Sequence, residues 1–314
     1  MKYLNTGQTF CADENGAPVD CDGSGQDAEF APGRPWPEPR FERDGETVLD
    51  RLTGLTWLAN PNFTDFPLTY EECLEAVREL DASRPGGCSG WRMPNRREMF
   101  SLISFNDRKP AIPADHPFDK GPLGWYWTST PSAMQPGYQW YVHTEGGRMF
   151  YGRRDGYCLV WPVCGTSDAL ADTGADDAAT GAVWPEPRFK PQGDTVLDEL
   201  TGLVWTASAD LTDGPCSWKE ALAAVSTLET PPPEGHSSWT LPTIRELESL
   251  VDASQHSPAL SLGHPFDDTR EAYWSSTSSS FERDWAMCLY LHKGAVGVGF
   301  KKDAGFHVWA VSRP

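Results

Sequence analysis

Two kinds of hydrophobic spacing alternate along this chain. Val48 to Trp57 alternates apolar and polar residues about Thr53-Gly54, which predicts a short hairpin. Thr69-Tyr70-Glu71-Glu72 then forms a capping box ahead of Leu74, Val77 and Leu80, whose spacing predicts a one-faced helix. Asn95-Arg96-Arg97-Glu98 repeats the capping signal before Met99, Leu102 and Ile103, a second helix. After an irregular, proline-containing segment, Tyr126-Trp127-Thr128-Ser129-Thr130 reads as a buried strand whose hydroxyls bond neighbouring backbone. Gln139 to Thr144, Met149 to Arg153 and Tyr157 to Val163 complete an antiparallel meander, with a turn at Glu145-Gly146-Gly147.

The whole pattern then recurs. Trp36-Pro37-Glu38-Pro39-Arg40-Phe41 returns as Trp184 to Phe189, and Leu52-Thr53-Gly54-Leu55 as Leu200 to Leu203. His116-Pro117-Phe118-Asp119 returns as His264 to Asp267, and the Tyr-Trp strand as Tyr273-Trp274-Ser275-Ser276-Thr277. Ser217-Trp218-Lys219-Glu220 and Thr243-Ile244-Arg245-Glu246 repeat the two capping boxes, and Asp284 to His292, Ala295 to Lys301 and His307 to Val311 repeat the meander. The period is too long for a solenoid, so each copy is a domain of the α+β class: a hairpin, two helices and a strand meander. Even the leads correspond, Asn5-Thr6-Gly7-Gln8 with Asp172-Thr173-Gly174-Ala175. The expected division is a first domain over 1–165, an acidic linker over 166–172 and a second domain over 173–314.

The order Thr-Gly-Gln, Trp-Pro-x-Pro-Arg-Phe, Leu-Thr-Gly-Leu-x-Trp, Trp-Arg-x-Pro-Asn, Tyr-Trp-x-Ser-Thr resembles the Legionella collagen-like protein C-terminal domain family. The resemblance covers nearly all of both copies and implies two tandem C-type-lectin-like domains. It also implies an exported or surface-attached bacterial protein that adheres to glycans, including sulfated ones. Many members carry a cysteine late in the first helix and another in the last strand; here Val77 and Pro162 stand near those places. Cys73 and Cys164 are each displaced to the same face, so the resemblance makes Cys73–Cys164 the expected helix-to-strand bridge, Cys88–Cys158 a second bond and Cys216–Cys288 the pair of the second copy.

Composition changes the picture in two ways. The 314 residues carry a formal net charge of -19, which opposes sequence-independent nucleic-acid binding. No apolar run reaches the length of a membrane span, so no membrane insertion is expected. The eight cysteines form no Cys-x-x-Cys pair. Cys11 and Cys21 bracket a polar turn, as a local disulfide would, and the even count predicts an oxidising compartment: the cell surface, the exterior or the periplasm. Met1-Lys2-Tyr3-Leu4 runs directly into polar residues with no signal-peptide core, the pattern of a cytoplasmic chain or of one whose leader has been removed.

Candidate chemistry is sparse. His116 with Asp119, and His264 with Asp267, supply two potential ligands each where a metal site needs three or four, so a structural turn is expected and no metal or cofactor. Glu98 and Glu246 are accounted for by capping. The Glu-Pro-Asn and Trp-Asn-Asp calcium motifs of sugar-binding lectins are absent, as is the Gly-Asn-Val-Trp-Glu-Trp signature of the formylglycine-generating enzymes, which share the superfamily fold. No Ser-His-Asp arrangement or phosphate loop replaces them, and no catalytic residue is expected. Recognition remains, placed on the late strands and their loops. In the second copy this means Ser279, Phe281, Arg283, Asp284, Tyr290, His292, Lys301 and Lys302. The alternation there is expected to turn Trp285, Met287, Leu289 and Leu291 inward and Ala286, Cys288, Tyr290 and His292 outward. In the first copy it means Tyr138, Tyr141, His143, Arg148, Tyr151, Arg153 and Arg154, with Met134 and Gln135 nearby. The expected function is an adhesin-like binder of glycan or protein ligands. The alternatives are a ligand-binding protein diversified by a retroelement over Ser275 to Lys302, or a structural subunit of a surface fibre, in which case a homo-oligomer is expected.

Overall fold

The computed structural model describes residues 2–119, 123–177, 180–232 and 234–314. The N-terminal lead holds β1 (Cys11–Ala12), β2 (Pro18–Val19) and α1 (Asp27–Phe30). The first copy follows with β3 (Phe41–Asp44), β4 (Thr47–Asp50), β5 (Thr56–Leu58), α2 (Tyr70–Ser83), α3 (Arg96–Ser101), β6 (Trp125–Pro131), β7 (Tyr138–His143), β8 (Met149–Arg153) and β9 (Val163–Cys164). The second repeats it as β10 (Phe189–Gln192), β11 (Thr195–Asp198), β12 (Leu203–Thr206), α4 (Trp218–Ser226), α5 (Ile244–Ser249), β13 (Tyr273–Ser278), β14 (Trp285–Tyr290), β15 (Ala295–Phe300) and β16 (Val311–Ser312). In both copies a small sheet of antiparallel strands, β3-β4-β5-β9 or β10-β11-β12-β16, joins the start of the copy to its end. A meander, β6-β7-β8 or β13-β14-β15, carries the Tyr-Trp strand.

The recurring motifs build the scaffold. Asp50 accepts from the Leu52 N–H (3.0 Å) and the Thr53 hydroxyl (2.9 Å), which closes the β4–β5 turn at Gly54 with φ +78. The same carboxylate takes a two-pronged bond from buried Arg40 (3.0 and 2.9 Å), whose guanidinium lies 4.6 Å from the Trp36 ring centre. Arg188, Asp198 and Trp184 repeat this. His-Pro-Phe-Asp delivers Phe118 into an edge-on stack with Trp161 (4.7 Å), as it does Phe266 with Trp309 (4.8 Å). All four expected capping boxes form, at Thr69, Asn95, Ser217 and Thr243. Glu98 and Glu246 do more than cap. Glu98 is gripped by Arg92 (2.7 and 2.6 Å), and Glu246 by Arg313 (2.7 and 2.8 Å) from beyond β16, because Thr240 stands where the first copy has Arg92. A buried carboxylate demands a partner, and the two copies supply it from different places.

The division of the chain differs from the one expected. One compact unit comprises 1–34 and 184–314, the other 35–183. Each copy is therefore completed by a lead other than the one directly before it. In the first unit, Asp27, wholly buried, accepts from Thr6 Oγ1 (3.0 Å) and from Thr277 Oγ1 on β13. Gln8 pairs its side-chain amide with both backbone groups of Ser278 (2.7 and 3.0 Å). In the other unit, Asp177 accepts from Thr173 Oγ1 (3.0 Å) and from Thr130 on β6, and Thr180 donates to Glu98 (2.7 Å). Residues 166–177 are thus a docked lead of the first copy, not a linker. The physical reason is that Thr130 and Thr277 each accept from the first N–H of the helix that precedes their strand, Arg96 (2.9 Å) or Ile244 (3.1 Å), and need a buried acceptor for their own proton.

Two strand expectations also change. Residues 157–162 hold only isolated bridges, Leu68 with Cys158 and Tyr126 with Leu159, and true pairing starts at Val163, past Pro162, which has no N–H to give. In β14 both faces are buried: Ala286 and Cys288 pack with Trp218 and Trp274 under α4, while Met287 and Leu289 are equally enclosed and α5 packs on β13 and β14. The meander is a middle layer, so alternation there does not separate inside from outside.

Two predictions follow from these buried charges. Arg313→Ala should cost about 3–5 kcal/mol by stranding the Glu246 carboxylate, and R313A/E246Q should recover part of it; denaturant unfolding reads both. Burial raises Asp27 and Asp177 to about 6 from 3.8, against the pull of their threonine hydroxyls; Glu246 and Arg313 also act on Asp27, and Asp172 and Glu98 on Asp177. The stability they contribute is complete below the ordinary carboxyl range and is lost as pH rises through about 6. Asp27→Asn leaves one of the two threonine hydroxyls without an acceptor, so it should be less stable than the wild type at pH 4.5, with the gap narrowing by pH 7.5; parallel stability profiles would refute the assignment.

Candidate functional site

If the repeated residues are scaffold, a site is to be sought where the copies differ. The meander of the 35–183 unit shows one such place. Registers pair Trp125 with His143, Trp127 with Tyr141, and Tyr141 with Phe150, so these side chains share the sheet face beneath α2. Trp127 lies under the helix, edge-on to Tyr70 at 5.9 Å, with its indole N–H on the Leu68 carbonyl (3.1 Å). Trp125, at the start of β6, is only half-buried. It stacks on His143 at 4.2 Å with the planes 18° apart, and meets Tyr141 edge-on at 4.7 Å. Arg148 lies 5.8 Å from the Trp125 ring and 3.3 Å from His143 Nδ1. A guanidinium can only donate, so Nδ1 accepts and the imidazole is neutral. Burial, and then Arg148, lower the His143 pKa and keep it so; burial raises the Tyr141 phenol. The floor is close-packed: a Cβ on Gly152 would stand 2.7 Å from the Tyr141 ring.

The same register positions of the other unit hold Ala272, Cys288, Tyr290, Ala295 and Gly297. There Phe306 closes the face, at 4.5 Å from Trp274 and 5.7 Å from Tyr290. One copy thus presents a half-open aromatic face with an imidazole and a guanidinium at its edge, and the other has sealed it.

The residues expected to bind scatter. Tyr141 and Arg148 belong to the aromatic face. Tyr138 (6.1 Å from Tyr151), Tyr151 (5.1 Å from Trp140) and Arg153 lie on the opposite side of the same sheet, with Arg153 in an exposed ion pair to Asp155. Arg154 covers the Tyr70 ring at 4.8 Å. In the second copy Ser279 is buried and caps a turn, accepting from the Phe281 and Glu282 N–H groups. Arg283 lies over Phe10 at 4.3 Å, Tyr290 packs on the core, and His292 bonds the Glu271 carbonyl (3.2 Å). Asp284 is half-buried and accepts the Lys301 N–H through its carbonyl. Lys301 requires a correction: it is fully buried, with its ammonium on the Ala12 carbonyl (2.9 Å) and Ser278 Oγ (2.8 Å) and 3.9 Å from the Trp218 ring centre, and burial pulls it down to about 7. It is no ligand contact but the anchor of the N-terminal lead. From Ser275 to Lys302 only Phe281, Glu282, Arg283 and Lys302 are exposed, and the rest are half-buried or buried, which restricts the surface open to diversification. Trp125 and Phe150 were not expected; the signal was available, since the second copy has a small residue, Ala272 or Gly297, at the equivalent position.

None of the three bridges that the resemblance implied is formed, while the expected local one is. Cys11–Cys21 is bridged, with Cα atoms 5.3 Å apart, and the other six are free thiols. Cys73 is in the first turn of α2 beside Cys158, and burial pushes each to about 12. Cys164 contacts Cys88, past the far end of that helix, and is pushed up to about 11 by burial and by this neighbour. The part of α2 beyond Cys73 spans about 15 Å, which separates Cys73 from Cys164. Cys216 and Cys288 do not bond; the Trp274 indole lies opposite Cys288 in register and donates to the Cys216 carbonyl (2.8 Å).

His116 and His264 pack on Phe118 (5.7 Å) and Phe266 (5.9 Å), and burial lowers both. Among the described residues no helix is long and apolar enough to cross a membrane. Comparison with curated proteins returns no match. The profile of the Lcl C-terminal domain matches residues 46–164 and again 194–312, the two stretches that hold both helices, the meander and all but the first strand of the small sheet of each copy. The chain belongs to the Lcl C-terminal domain family and carries that domain twice.

Proposed function

We propose that this is a non-enzymatic recognition protein of C-type-lectin-like fold that binds glycan ligands through the Trp125 face. The observation that carries the reading is the half-buried stack of Trp125 on His143, edged by Tyr141 and Arg148 and absent from the second copy. Flat aromatic faces take the C–H face of a sugar ring, and the neighbouring donors fix its hydroxyls, a combination of apolar platform and few polar groups usual in small-ligand sites. The second copy serves as scaffold. The -19 charge disfavours nucleic acid as ligand, and the Cys11–Cys21 bridge supports action at the cell surface or outside it.

A glycan array at physiological salt tests this. The wild type should bind a defined set of saccharides. Trp125→Ala and Tyr141→Ala should lose roughly 10-fold or more in affinity, as truncated anchor aromatics do, while Phe281→Ala, on the other copy, leaves binding unchanged. Silence of the wild type, or full binding by a folded Trp125→Ala variant, contradicts the proposal.

A further inference from the structure

The N-terminal lead grips its unit entirely through residues far along the chain. Gln8 bonds Ser278, Asp27 bonds Thr277, Lys301 bonds the Ala12 carbonyl and Lys219 pairs with Glu14, at sequence separations of 270, 250, 289 and 205 residues. The first copy instead takes the lead that directly follows it, with Thr173 and Asp177 on Thr130. The two sockets read the same grammar: a threonine hydroxyl on the Tyr-Trp strand, a helix N–H behind it, and a Thr–Asp pair arriving from the lead. Nothing in the 1–34 docking depends on the identity of the chain that delivers it. A tether one whole domain long adds only slowly to the entropy of closure, and what separates docking within a chain from docking between chains is effective concentration.

We propose that the socket formed by Thr277, Ser278 and Lys301 also accepts the N-terminal lead of a second copy of this chain. The lead leaves its own socket and enters the other with the same contacts, so nothing is lost but the tether, the condition under which segment exchange is inexpensive. Reciprocal exchange closes a pair, and sequential exchange extends a row. This self-association is independent of the glycan site, whose residues lie in the other unit.

The native Glu14–Lys219 ion pair (3.4 Å) reports on it without mutation. Equal amounts of unlabelled and ¹⁵N-labelled full chain are refolded together from denaturant over a range of concentrations and treated with a carbodiimide, which condenses touching carboxylate and amine into an amide. Cross-linked peptides are then sorted by isotope. Mixed-label Glu14–Lys219 pairs should rise with chain concentration and concentrate in the fraction of doubled or higher mass. The Lys190–Glu199 pair (2.5 Å), local to one hairpin, should stay like-labelled throughout. Like-labelled Glu14–Lys219 pairs alone at every concentration, or mixed pairs no more frequent than for Lys190–Glu199, overturn the proposal.

Discussion

A single hydroxyl in each unit fixes how the rest is assembled. Thr277 and Thr130 are themselves fully buried, accept the first N–H of the second helix, and must pass their own proton to something equally buried. Water does not reach them, so the acceptor has to come from the chain, and an unmet hydroxyl there would cost about 1–3 kcal/mol. Asp27 and Asp177 meet the need. Each brings its lead with it, and the lead covers the end of the meander. The interleaved division of the chain follows from this local requirement.

The duplicated motifs answer similar demands. Arg40 with Asp50, Glu98 with Arg92, and their counterparts are charges held inside the fold, where neither partner can be lost alone. Arg313 shows how much freedom remains: the second copy has Thr240 at the Arg92 position and supplies a guanidinium to Glu246 from the strand end instead. What is preserved is the neutralised carboxylate rather than the sequence position. The aromatic face follows the opposite course. Nothing in the scaffold requires Trp125, Tyr141 or Phe150, since Ala272, Cys288 and Gly297 serve the same sheet in the other copy.

Much of this was legible in the chain itself. Capping boxes, the Thr-Gly turns and the α+β order rest on contacts three to five residues apart, and those appear as written. Asp27 was not legible as a core residue, because its partner lies 250 residues away and a lead rich in Gly and Asp reads as a surface loop. Lys301 looked like half of an exposed basic pair with Lys302, and only the docked lead buries it. Period-two alternation failed on β14 because helices cover both faces of that sheet. Trp125 could have been found by subtracting one copy from the other.

Native-state hydrogen exchange of Thr277→Val, followed peptide by peptide by mass spectrometry, tests the interleaved architecture most directly. Removing that hydroxyl should raise exchange across residues 4–12 of the N-terminal lead and leave 166–177 as protected as in the wild type. Loosening of 166–177 instead, or an unchanged 4–12, would contradict the assignment of each lead to its unit.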